Sequence, residues 1–401
     1  MRAGGGARVE SEIGPLETVL CHAPGPELTV VTPENRDDYL FDDILDLERA
    51  RREHSRFVAV LERFAEVLEV TDMLEEVLAD PEARASLVGH ADPALRERAA
   101  EADPVDLARL LVEGEESHGG GLAGLLNEAG YTLPPLPNLF FTRDAGAVVG
   151  DRVLVAAMRH EVRWTEEAIV RTLFRRHPAL SSGGVLYDGT EERRLNTSLE
   201  GGDVHVLRDD LLMLGLSERT SAAGIDVLCD RLLGETSFRD VLVVILPRHR
   251  TAIHLDMIFT MIDRRLCCVY APYFLGPTRL PVLRVSRSSE GMREEDDLFT
   301  ALHDLGLPLE PVRCGGDRRT MQDREQWASG CNLFAVAPGQ LVAYDRNEHT
   351  LAALEREGGF RIVPAVDFLT GDAGVEEDGR FVLTFEGTEL VRGGGGPRCM
   401  T

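Results

Sequence analysis

Residues 332–366 read NLFAVAPGQLVAYDRNEHTLAALEREGGFRIVPAV. An apolar run, a Pro-Gly turn and a second apolar run come first. A stretch with helical spacing and a third apolar run, FRIVPAV, follow. The pattern is strand, turn, strand, helix, strand, and it recurs upstream. GAVVG and DRVLVAA precede TEEAIVRTLFRRH. DVHVLRDDLLMLGLS precedes TSAAGIDVLCDRLL and VLVVIL, and HLDMIFTMIDRRLCCVY opens another round. Near the start, LETVLC (16–21), a helical pattern from Asp43 to Leu68 and AEVLEV give a related unit. Roughly four or five such units fit the chain, a spacing that predicts a closed α/β array of pseudo-repeats around a central site. No G-x-G-x-x-G follows the first strand, so a dinucleotide-binding sheet has no support. Between about 72 and 131 the pattern breaks into short charged helical runs divided by Pro and Gly, read as a helical insertion. The Gly119–Gly121 run within it lacks the Gly-Lys-Ser/Thr of a phosphate loop and reads as a flexible corner.

The 401 residues include 69 acidic and 43 basic side chains, for a formal charge of −26, which repels phosphate backbones and anionic membranes and attracts small cations. Nucleic acid and membranes are therefore not expected partners. Cysteines at 21, 229, 267, 268, 314, 331 and 399 form an odd set without C-x-x-C spacing, which argues against a disulfide framework or zinc ribbon. With no signal-peptide core and no long apolar window, a cytoplasmic location is expected.

A few residues carry chemistry. His254 and Asp256 in TAIHLDMIFT stand two apart, so an extended backbone would point both to one face. Glu200 adjoins Gly201 and Gly202, where the missing side chains permit close approach. Asp144 ends PNLFFTRD, which reads as an aromatic strand. Cys399 lies in VRGGGGPRCMT, a glycine-rich loop whose Arg392 and Arg398 are expected to lower the thiol pKa. One thiol, one His and three acids without metal-ligand spacing suggest a nucleophilic enzyme for a cationic substrate.

These motifs, with SEIGPLETVLCHAPGPEL, LFDDI, GLSERTS and NLFAVAPGQLVAYDRN, resemble the arginine deiminase family of the guanidino-group-modifying (pentein) superfamily. The resemblance implies an α/β fold: a five-bladed pseudo-symmetric propeller (residues 1–71 and 132–401) with an inserted helical bundle (72–131). It implies Cys399 as nucleophile, His254 as general acid/base, and Glu200, Asp144 and Asp256 as carboxylates holding guanidinium and imidazole. It places Arg163 and Arg219 at the substrate carboxylate, Asn138 near the α-amino group, and Leu40 in a lid. L-Arginine would be hydrolysed to citrulline and ammonia through an S-alkylthiouronium, with no cofactor or metal, in a homo-oligomer. One position departs from the family pattern: many members read R-G-R-G-G before the cysteine, whereas Gly394 replaces the second arginine here. An amidinotransferase, a deiminase of another guanidino compound and a non-catalytic guanidine-binding protein are the rival readings.

Overall fold

In the stretch that opened the reading, Phe334–Ala337 and Gln340–Tyr344 form an antiparallel hairpin across the Pro-Gly turn. Helix Glu348–Gly358 follows and buries Leu351, Ala353 and Leu354 in the main apolar core, as its spacing requires. The expected third strand, Arg361–Pro364, does not pair with the hairpin. Phe381–Phe385 takes the place between them, parallel to both. All five residues of FVLTF are buried, whereas Arg361 and Pro364 are exposed, and Pro364 lacks an N–H. The apolar strand therefore wins the interior and the proline-bearing strand the edge.

The computed structural model describes residues 6–89, 93–116, 130–193, 197–288 and 291–401, so the Gly119–Gly121 run lies outside the described residues. Three further units repeat the order hairpin, helix, parallel third strand. Gly146–Val149 and Arg152–Val155 are joined by Val185–Asp188. Val204–Arg208 and Leu211–Leu216 are joined by Asp240–Ile245, and Phe259–Asp263 and Leu266–Val269 by Glu310–Arg313. Each parallel pairing needs a crossover, and helices Trp164–Arg176, Ala222–Glu235 and Leu298–Asp304 lie within those connections. The first unit is reduced to Thr18–Cys21 parallel to Glu66–Glu69, joined through helix Leu47–Leu61. Val282–Ser286, antiparallel to Asp240–Ile245, and Met292–Glu295 beside it extend the sheet of Val204–Arg208 to five strands. These five sheets and one short pairing of Glu115–Glu116 with Tyr131–Leu133 make up the sheet structure of the described residues.

The charged region after the first unit holds helices Val70–Val77, Pro81–Val88, Pro93–Glu101 and Pro104–Glu113. Asp-Pro steps start two of them: Asp80 accepts from Glu82 N and Asp103 from Val105 N, while each proline occupies a position whose N–H would be unpaired. Their apolar faces, including Leu74, Leu107 and Leu111, share a core with Ile169 and Leu173 of helix Trp164–Arg176, which ties these helices to the second unit. Among the described residues, no helix is long and apolar enough to cross a membrane.

Candidate active site

The repeated unit delivers side chains to one place because the residues just ahead of its first strand recur at equivalent positions. Asp144 sits in the turn Thr142–Ala145 before strand Gly146–Val149. Glu200 precedes the turn Gly201–Asp203 and strand Val204–Arg208. His254 and Asp256 flank Leu255 ahead of Phe259–Asp263, and Asn332 stands ahead of Phe334–Ala337. Two local expectations are corrected. PNLFF forms turns instead of a strand, since Asn138 O and Leu136 O are taken by Phe141 N and Leu139 N. Leu255–Met257 is a tight 3-10 turn, not extended chain, yet His254 and Asp256 still reach the same site.

His254 is held between acids. Its Nε2 lies 2.8 Å from Glu200 Oε2 and its Nδ1 3.5 Å from Asp144 Oδ1. The imidazole rests on Gly202, where a Cβ would fall 2.6 Å from His254 Cγ, so only glycine permits this approach. Burial alone would lower the imidazole pKa, but Asp144, the Glu200 hydrogen bond and Asp203 overcome it and raise it to about 9. His254 is therefore cationic at neutral pH. Glu200 is fully buried; burial raises its carboxyl, but Arg219 and His254 pull it well below the ordinary range. Its Oε1 accepts from Arg159 N at 2.9 Å and its Oε2 from Arg219 Nη1 at 3.4 Å.

Cys399 is brought to these residues by the C-terminal loop. Its N–H donates to Asn332 Oδ1 at 3.1 Å, its carbonyl accepts from Arg143 N at 3.1 Å, and its Sγ lies 3.6 Å from Asp256 Oδ2. The same Oδ2 accepts from Arg398 Nη1 at 2.9 Å, and Arg398 Nε donates to Glu12 at 3.0 Å. The expectation that arginines lower the thiol pKa is corrected. Burial, then Asp256 and Asp144, push it well above its ordinary value, and Arg398 offsets only part of this because it is already paired. Arg392 is paired with Asp43 and lies near Glu389. In this structure the Cys399 thiol is therefore held toward its neutral form.

Two buried carboxylate oxygens, Asp144 Oδ1 and Asp256 Oδ1, accept no hydrogen bond among the described residues. The first faces His254 Nδ1 only at ion-pair distance, 3.5 Å, and a cation with several N–H donors would give both oxygens the hydrogen bonds they lack. One ligand atom each of Asp144, Glu200 and His254 lie within 4.8 Å of one another, a spacing that a metal ion could bridge. The protonated imidazole opposes it, because a metal ligand must offer a neutral ring.

Arg219 lines a cleft beside this set, together with Leu40, Ile253 and Gly394. Leu40 adopts a left-handed backbone, φ 66°, in a turn tied to the rest of the chain by Asn138 Nδ2 donating to Tyr39 O at 2.8 Å. Arg163 is buried deeper: it donates to Asp144 Oδ2 at 2.6 Å, to Glu166 and to the carbonyls of Asn138 and Phe141. Its guanidinium thus braces Asp144 instead of lining the cleft. Sequence reasoning did not single out Asn332, Glu12 or Asp203. The last accepts from Ser217 Oγ at 2.6 Å and Leu255 N at 2.9 Å, fixing the turn that carries His254.

A mixed α/β fold of repeated hairpin units with a buried Cys, His and carboxylate set at the strand ends defines a pentein-type enzyme. Solved pentein structures superpose over nearly the whole chain. The substrate-bound N-terminal domain of ArgZ, a cyanobacterial arginine dihydrolase, gives a TM-score of 0.52 at 15% identity, covering 96% of each chain. The amidinotransferase SxtG from Microseira wollei gives 0.52 at 13%, covering 98% of this chain and 95% of its own. At such identities the likeness establishes the fold alone. Sequence goes further: the arginine deiminase family model matches residues 37–92 and 105–401. Arginine deiminases of Streptococcus equi subsp. zooepidemicus and Streptococcus uberis are each 34% identical, covering 98% and 100% of this chain and 96% and 98% of theirs. The chain belongs to the arginine deiminase family.

Proposed function

We propose that this protein hydrolyses L-arginine to L-citrulline and ammonia, with Cys399 as nucleophile. One observation carries the reading. A thiol, a cationic imidazole and two carboxylates, each with an oxygen that accepts no hydrogen bond, are buried together, and a planar cation with several N–H donors satisfies those oxygens. Asp144 and Asp256 bind the guanidinium, Glu200 holds His254, and Arg163 supports Asp144. Arg219, Asn138 and Leu40 face the amino-acid end. The expected roles thus stand as proposals, with Arg163 moved from direct recognition to bracing.

The bound cation favours ionisation of the Cys399 thiol, whose proton passes to Asp256, the carboxylate within 3.6 Å. Sulfur attacks the guanidinium carbon, His254 gives its proton to a departing nitrogen, and ammonia leaves an S-alkylthiouronium on Cys399. His254, now neutral, takes a proton from water as its oxygen attacks the same carbon. The C–S bond breaks, sulfur recovers the proton held by Asp256, the proton left on the product oxygen passes to solvent, where it converts the released ammonia to ammonium, and neutral citrulline departs with the oxygen from water. Without the cation the carboxylates gain nothing from citrulline, which favours release.

We further propose that the five sheets are the blades of a closed propeller, that the helices of 72–131 form its insertion, and that the protein works as a homo-oligomer in the cytoplasm. The pairing of each hairpin with a parallel third strand supports the first reading. Citrulline and ammonia released from arginine, with no added amine, test the reaction and separate it from amidino transfer. Failure of both products to appear with the wild type would overturn it.

A further inference from the structure

We propose that Arg250 is a specificity-determining residue that binds the substrate's α-carboxylate, taking the place left by Gly394; the inference rests on the arginine-hydrolysing reading above. The cleft beside the reacting groups presents two guanidinium groups. Arg219 marks its inner end through Glu200, and Arg250 lines it together with Leu40, Asp42 and Gly394. Gly394 has φ 93°, and a Cβ built there would lie 3.5 Å from Asp42 Oδ2. A side chain from 394 would therefore start beside the carboxylate that Arg250 now holds. Arg250 Nε donates to Asp42 Oδ1 at 2.6 Å and Nη2 donates to Leu40 O at 3.0 Å. The side chain is 39% exposed, so it is free to turn toward the cleft. Arg392, bound to Asp43 at 2.7 Å, is not among the residues that line this cleft.

A guanidino acid that places its guanidinium at Asp144 and Asp256 extends its carboxylate back into this cleft. Arg250 then exchanges Asp42 for that carboxylate, using the planar fork that suits either partner. Burial already pushes the Asp42 carboxyl upward against the pull of Arg250, so losing the arginine raises it further.

The test measures dissociation constants for arginine and for argininamide, which lacks the negative charge, in a Cys399→Ser background where turnover does not intervene. The readout is the ratio of the two constants within each variant. Arg250→Ala is expected to weaken arginine roughly 10- to 150-fold while leaving argininamide nearly unchanged. Asp42→Asn, which removes the competing carboxylate, is expected to tighten arginine selectively. Equal weakening of both ligands by either substitution would show that the pair only anchors the turn at Leu40. An unchanged ratio in Arg250→Ala would likewise overturn the proposal. Absence of turnover by the wild type bears on the reaction, not on this ratio.

Discussion

Replacing Glu200 by Gln removes one negative charge from the site while keeping the side chain's volume and an acceptor for His254 Nε2. The imidazole pKa of about 9 reflects burial, which lowers it, outweighed by Asp144, the Glu200 hydrogen bond and Asp203. A hydrogen bond between charged groups contributes about 1.5–3 kcal/mol, or about 1–2 pH units at about 1.4 kcal/mol per unit. The variant's His254 should then titrate about 1–2 units lower, near neutrality, with Asp144 still 3.5 Å from Nδ1. The sign is fixed by the first half-reaction. The imidazolium that protonates the departing nitrogen is present below its pKa and is lost above it, so the alkaline limb of activity moves to lower pH. Ammonia release followed from about pH 6 to about pH 10 reads that limb directly. Arg219 also loses an ionic partner at 3.4 Å, which changes KM but not the position of the limb in kcat. A limb in kcat that stays near pH 9 in Glu200→Gln would show that another group sets it and would refute the role given to His254.

Burial and two carboxylates hold the Cys399 thiol neutral, so iodoacetamide should label it slowly near neutrality, well below the rate for an unhindered thiol. Rapid labelling at neutral pH without substrate would contradict the neutral resting state. Glu53 accepts from the N–H groups of Thr388, Glu389 and Leu390 at 3.0–3.1 Å, anchoring the chain that leads to Cys399. Glu53→Ala leaves these donors unpaired and should destabilise the fold by about 2–4 kcal/mol in urea denaturation; a change below about 0.5 kcal/mol would dismiss the anchor. Gly394→Arg puts a side chain on a backbone with φ 93° and should lower stability by about 1–3 kcal/mol, although the first atom of the side chain has room. Unchanged stability would show that the loop relaxes freely.

The hairpins and the helix after each were readable because alternating apolar runs, Pro-Gly or Asp-Arg turns and helical spacing are local signals. The final sheet was misread because the choice between FRIVP and FVLTF for the central place depends on competition for burial, which no local pattern expresses. PNLFF has strand composition, yet its backbone groups are used in turns that aim Asp144 inward. At the site, Cys399, His254 and the acids that the structure brings together were legible because a thiol in a glycine loop and acids beside glycines stand out, and the family resemblance joined them. The supporting residues were not. Asn332, Glu12 and Asp203 act through contacts made across different units, and the pairing of Arg163 with Asp144 and Glu166 was likewise not readable from local sequence. The thiol pKa was expected to fall because the neighbouring arginines were counted without the acids that neutralise them.

The most direct test is acid quenching of the protein within its first turnovers on arginine, followed by peptide mass mapping of all seven cysteines. A covalent amidino adduct on Cys399 alone, absent in Cys399→Ala together with citrulline formation, is the predicted result. Citrulline produced by the Cys399→Ala variant, or an adduct on another cysteine with Cys399 unmodified, would contradict it.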